Sequence, residues 1–161
     1  MNGGLLPAML VYAAFAIALA NAPRAVCVRA LAALLATSTT VAVVHVPAAW
    51  TSAAHLACWT CVVACGASAC VGKGLGWRAA IGLALPSGAA AGAIVTLAGA
   101  PVALGLVPLV AIVTLLAARV ASRRVPIATK VVSSWLIAVA LLAVTLQLLP
   151  VTPGYLPDHL E

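Results

Sequence analysis

Four side chains in one stretch of the chain could ligate a soft metal ion: His55, Cys58, Cys61 and Cys65. At ~100° per residue, these positions fall within an arc of roughly 120° on one helix face. Thr51 extends the face in one direction and Ser68 in the other, while Cys70 points elsewhere. Thiol and imidazole ligands suit Cu(I), Zn and related ions, so the stripe is a candidate metal path. A plainer role is available to it, since small side chains let neighbouring helices approach closely. A single helix cannot close a tetrahedral site alone, and no second Cys/His-rich helix is evident. A bound soft metal ion is the one cofactor that the residues suggest.

A second candidate set is hydroxylic. Thr37, Ser38, Thr39 and Thr40 are consecutive and sample every face of a helix. Ser87 follows Pro86, whose missing N–H frees a backbone carbonyl and bends a helix. Broken helices supply midplane binding sites in many transporters. Thr37, Ser38, Thr40 and Ser87 are therefore the expected lining of a substrate path. The alternative is hydrogen bonding to their own helix backbone or across helices. His45 and His55 flank the turn around Trp50; two interfacial histidines explain them better than a haem pair.

Other chemistries are disfavoured. Ionisable residues at membrane depth commonly mark proton relays and ion paths. Here the two acidic residues, Asp158 and Glu161, both lie in the C-terminal tail. A carboxylate-driven antiporter or an aspartyl membrane protease has nothing to work with. No phosphate-binding loop, dinucleotide fingerprint or nucleophile elbow occurs, and the expectation is a protein that is not an enzyme.

The elements that must position these residues follow from composition. The 161 residues are 66% hydrophobic and 6% charged, whereas soluble domains carry about 25% charge. Such a chain cannot build a water-facing surface. Apolar runs cover about 4–22, 25–46, 51–71, 79–99, 102–119 and 131–149, each near the ~20 residues that cross a bilayer core. The expected fold is all-α, a polytopic transmembrane bundle of about six helices over residues 1–150, with no soluble domain and a short tail over 151–161. Residues 5–20 resemble a signal peptide, with Ala20-Asn21-Ala22 as a cleavage site. No Lys or Arg precedes that run and Pro23 follows it, so it is read as the first membrane helix. Gly88 and Gly92 form a GxxxG pair that predicts a close contact on the fourth helix.

Charge tests the count. Arg24 and Arg29 fall at the first loop, Lys73 and Arg78 at the third, and Arg119, Arg123, Arg124 and Lys130 at the fifth. Six helices put all of them on one side. The positive-inside rule then places that side in the cytoplasm and both termini outside, in a bacterial inner membrane facing the periplasm. Trp50, Trp77, Trp135 and Tyr155 fit interfacial positions, and Trp59, Tyr12 and Phe15 fit packing positions. The net charge of +6 is too dispersed for a nucleic-acid partner. The expected partners are the lipid bilayer and other membrane proteins or further copies of the chain. Two functions compete: a small permease or transport component for an ion or small solute, and a structural or assembly subunit of a larger membrane complex.

Overall fold

Helix starts and stops follow proline and glycine. Pro7 stands in the first turn of α1 (Leu6–Ala18), where a missing N–H costs nothing. The apolar run continues past Ala18, but as turns: Leu19, Ala20 and Ala22 bond back to Phe15, Ile17 and Leu19 carbonyls. Helix α2 spans Arg24–Val44. A single 3-10 turn, Ala48–Trp50, leads into α3, Thr51–Cys70. Helix α4, Trp77–Leu97, stops at Gly99 with φ of 63°, the left-handed conformation that glycine reaches without a Cβ penalty. Helices α5 (Ala103–Arg124) and α6 (Pro126–Leu148) complete the chain. The computed structural model describes residues 5–44, 46–71, 74–99, 103–124 and 126–149. His45 and the tail at 151–161 lie outside the described residues.

The six helices form an all-α bundle with no strand among the described residues. Helix α1 is its centre and touches α3, α4, α5 and α6. Val11 and Phe15 of α1, and Leu19 just after its end, are fully buried. Helix α2 packs on the outside of α4, and α6 packs on α3.

The outer surface is apolar. Leu109, Ile112, Val113, Leu116 and Val120 are exposed along α5, and Val131, Leu141, Leu142 and Leu146 along α6. The α5 residues recur at helical spacing on one outward face. Contiguous apolar surface of this extent has no place in water. Four segments are long and apolar enough to cross a membrane: Arg24–Val44, Ala48–Cys70, Trp77–Leu97 and Ile127–Leu148. The apolar part of α5, Pro108–Ser122, is shorter, as is α1. With 13 residues, α1 rises ~20 Å, less than the ~30 Å of hydrocarbon. Its burial among four other helices shields it from lipid. The protein is a multi-spanning membrane helical bundle.

The basic loops gather at one end. A Cβ on Gly74, between α3 and α4, would lie 2.7 Å from the Asn21 carbonyl oxygen between α1 and α2. The Arg119 guanidinium donates a 2.9 Å hydrogen bond to the Ala22 carbonyl. Arg24, Arg78, Arg119 and Lys130 therefore share this end. Trp50 is exposed at the opposite end, whereas Trp77 is exposed at the basic end beneath the Arg78 guanidinium, 5.5 Å from its ring centre.

Candidate functional site

The contact between α2 and α4 is built on glycine. A Cβ on Gly92 would lie 2.5 Å from the Ser38 carbonyl oxygen, and one on Gly88 would lie 2.5 Å from the Leu34 carbonyl oxygen and collide with Thr37 Oγ1. Backbone presses on backbone here, which is the close approach expected of the GxxxG pair. It sets Thr37 and Ser38 of α2 directly against α4.

Polar groups collect along this contact. Ser38 is 1% exposed, and its Oγ accepts a 2.8 Å hydrogen bond from the Tyr12 hydroxyl of α1. The same Ser38 hydroxyl donates to the Leu35 carbonyl at 3.0 Å. Ser87, one residue before Gly88, is also 1% exposed, and its Oγ lies 3.8 Å from Cys65 Sγ of α3. Cys61 lies one turn before Cys65 on α3 and is half-buried. Tyr12–Ser38 joins α1 to α2 and Cys65–Ser87 joins α3 to α4, and the Thr37–Gly88 contact links the two pairs along one uncharged polar seam. Tyr12 and Ser87 sit at the middle of α1 and α4, so the seam lies at mid-depth in the bundle.

The hydroxyls of α2 divide by face. Thr37 is half-buried beside Gly88, and its Oγ1 donates to the Ala33 and Leu34 carbonyls at 2.9 and 3.0 Å. Thr40 is exposed and donates to the Ala36 carbonyl at 2.7 Å; Thr39 is exposed and bonds back in the same way. Of the four expected lining residues, the structure sets Thr37 and Ser38 against Gly88 and Gly92 of α4, turns Ser87 toward Cys65 of α3, and leaves Thr40 on the outside. Back-bonding satisfies each hydroxyl where no water reaches it.

Cys58 and Cys65 are fully buried, and Cys61 between them is half-buried. All five cysteines are free thiols. His55 stands apart, nearer the helix start, where its Nδ1–H donates a 2.8 Å hydrogen bond to the Thr51 carbonyl. Among the described residues, no three or more His, Cys, Asp or Glu side chains converge to hold a metal ion. At Gly66, beside Cys65, a Cβ would be 2.8 Å from the Ile137 side chain, so α6 packs tightly on α3 there. Trp59 is buried as expected, and its Nε1–H has no hydrogen-bond partner among the described residues.

Two features escape sequence reasoning. Tyr12 is a packing residue by pattern, and its hydroxyl is also a polar partner of α2. Arg119 is a topology charge by pattern, yet its guanidinium donates to Cys27 Sγ at 3.0 Å and to the Ala22 carbonyl. The Cys27 thiol in turn approaches the Leu19 and Ala22 carbonyls at 3.4 and 3.6 Å. The only local signal for the second cluster is a cysteine three residues after a helix-starting arginine. A separate cleft of about 220 Å³ between α1, α5 and α6 is lined by Ile17, Ala118, Ala121, Ala128 and Val132, with Thr114 and Thr129. It offers no ionisable group. No family model, curated protein or solved structure matches this chain, so its function is argued from these residues.

Proposed function

We propose that the protein is a small permease or transport component for an ion or small solute. The observation that carries this reading is the mid-depth seam, in which the Tyr12–Ser38 and Cys65–Ser87 pairs flank the glycine contact between α2 and α4. Uncharged hydroxyls and thiols suit a small neutral solute or a soft cation, and there is no charge at that depth to bind a hard ion. Pro86 precedes Ser87 and removes a helix hydrogen bond to the Gly82 carbonyl, which favours bending of α4 at the seam. Passage requires α2 to part from α4, exchanging internal hydrogen bonds for bonds to the solute. The basic end faces the cytoplasm in this reading. Purified protein in liposomes is the test: a panel of small neutral solutes and soft cations should include at least one that crosses faster than in protein-free liposomes. Equal rates across the panel would remove the proposal.

The second reading is a structural or assembly subunit of a larger membrane complex. It is favoured by the filled interior: α1 occupies the bundle axis, and the hydroxyls of Thr37, Ser38, Thr39 and Thr40 all bond within the protein. Purification in mild detergent separates the two readings. Stoichiometric partner proteins favour the subunit, and an isolated chain that sustains flux favours the permease.

A further inference from the structure

The early end of α1 leaves space at the basic end of the bundle. A cavity of about 360 Å³ is lined by Asn21, Ala22, Pro23, Arg24, Arg119 and Ser122, with Ala20 at its edge. One water needs only ~10–15 Å³ of such volume, so a small polyatomic group fits with several waters. Two guanidinium groups from different helices line this space. Arg119 is half-buried and held in place by the Ala22 carbonyl and Cys27 Sγ. Arg24 has no hydrogen-bonding or ionic partner among the described residues. No carboxylate side chain occurs among the described residues, because the sequence has no Asp or Glu before Asp158.

Two guanidinium groups set around one polar cavity, with no counter-ion among the described residues, suit an external anion. We propose that this cavity binds a phosphate group, carried by an anionic lipid headgroup or by free phosphate, with Arg24 and Arg119 as its ligands. Arg119 is pre-oriented by its two internal bonds and presents its remaining N–H groups. Arg24 closes from the start of α2, and the Asn21 carboxamide and Ser122 hydroxyl lie within the same walls. The site sits at the end of the bundle that meets headgroups. Anionic lipid would fix α1, α2 and α5 to one another there without any residue of the mid-depth seam taking part.

The test uses full-length protein in maltoside micelles with two probes, inorganic phosphate and dioleoyl phosphatidylglycerol, and phosphatidylcholine as the comparator. Saturable binding of at least one of the two probes, tighter than that of phosphatidylcholine, is expected. Binding of phosphatidylglycerol alone identifies the headgroup as the source, and binding of inorganic phosphate without lipid shows that the free anion suffices. Arg24→Gln removes a guanidinium that the fold does not use and should weaken binding about tenfold, the loss of one charge-assisted contact. Arg78→Gln removes a charge at the same end but outside the cavity and should leave affinity unchanged. Absence of saturable binding by both probes, or equal weakening by Arg24→Gln and Arg78→Gln, overturns the proposal.

Discussion

The Tyr12 hydroxyl of α1 donates a 2.8 Å hydrogen bond to Ser38 Oγ of α2, and both residues are buried. Helix α2 otherwise rests on α4, so this bond ties the peripheral helix to the bundle centre. Interhelical hydrogen bonds in membranes average about 0.6 kcal/mol and reach ~1.7. Tyr12→Phe should therefore lower unfolding free energy by about that amount. In a double-mutant cycle with Ser38→Ala, the two losses should be less than additive by a similar figure. Full additivity in a detergent unfolding titration would mean that the bond contributes nothing.

Glycine at the α2–α4 contact is required by backbone, not by flexible side chains. Gly92→Ala places a methyl group against the Ser38 carbonyl oxygen and Cα, at 2.5 and 3.0 Å. Overpacking of this kind costs roughly 1–3 kcal/mol. Gly82→Ala on the same helix meets nothing within 4 Å, and helix propensity favours it by up to ~1 kcal/mol. Melting of the two variants should move in opposite directions. Equal destabilisation would show that α4 responds to glycine loss as such and that the close contact is absent.

Thiol burial makes a labelling prediction. Cys27, Cys58 and Cys65 are buried, while Cys61 and Cys70 are half-buried. Maleimide applied to native protein in detergent should reach Cys70 and Cys61 first and the other three only after unfolding. Mass spectrometry of the labelled peptides reads the order, and early modification of Cys65 would contradict the packing of α3 against α4.

Orientation is testable at two exposed positions. A side chain at Gly76 meets nothing within 4 Å, and Ala49 is exposed in the 3-10 turn at the other end. In intact cells, an impermeant maleimide should label Ala49→Cys and spare Gly76→Cys until the cells are permeabilised. The reverse pattern would place the basic end outside, against the positive-inside rule.

Much of the architecture was legible because its causes are local. Apolar run lengths, with proline and glycine at their ends, mark the helices, and Gly88 and Gly92 mark the α4 contact within a few residues of sequence. The clustering of Arg24, Arg78, Arg119 and Lys130 follows from counting crossings. Other features depend on which helices become neighbours, and no short pattern encodes that. Tyr12 and Ser38 are 26 residues apart, and Arg119 and Cys27 are 92 apart. The apolar pattern around Ala18 is the same on both sides, so the end of α1 was not legible; the turn there is set by bonds back onto Phe15, Ile17 and Leu19. The hydroxyl run of α2 posed a similar problem: Thr37, Ser38, Thr39 and Thr40 look alike in sequence, and only the seating of α4 separates Ser38 from Thr40.

Ser38 and Thr40 therefore offer the most direct test of a transport path through the seam. They lie two residues apart on α2; Ser38 is buried against α1 and α4, and Thr40 is exposed on the outer side. With a solute identified by liposome flux, Ser38→Ala should reduce its rate about tenfold, the effect of losing one hydrogen bond along the path, and Thr40→Ala should leave the rate unchanged. Unchanged flux in folded Ser38→Ala protein, or equal loss in both variants, would contradict a path along this seam.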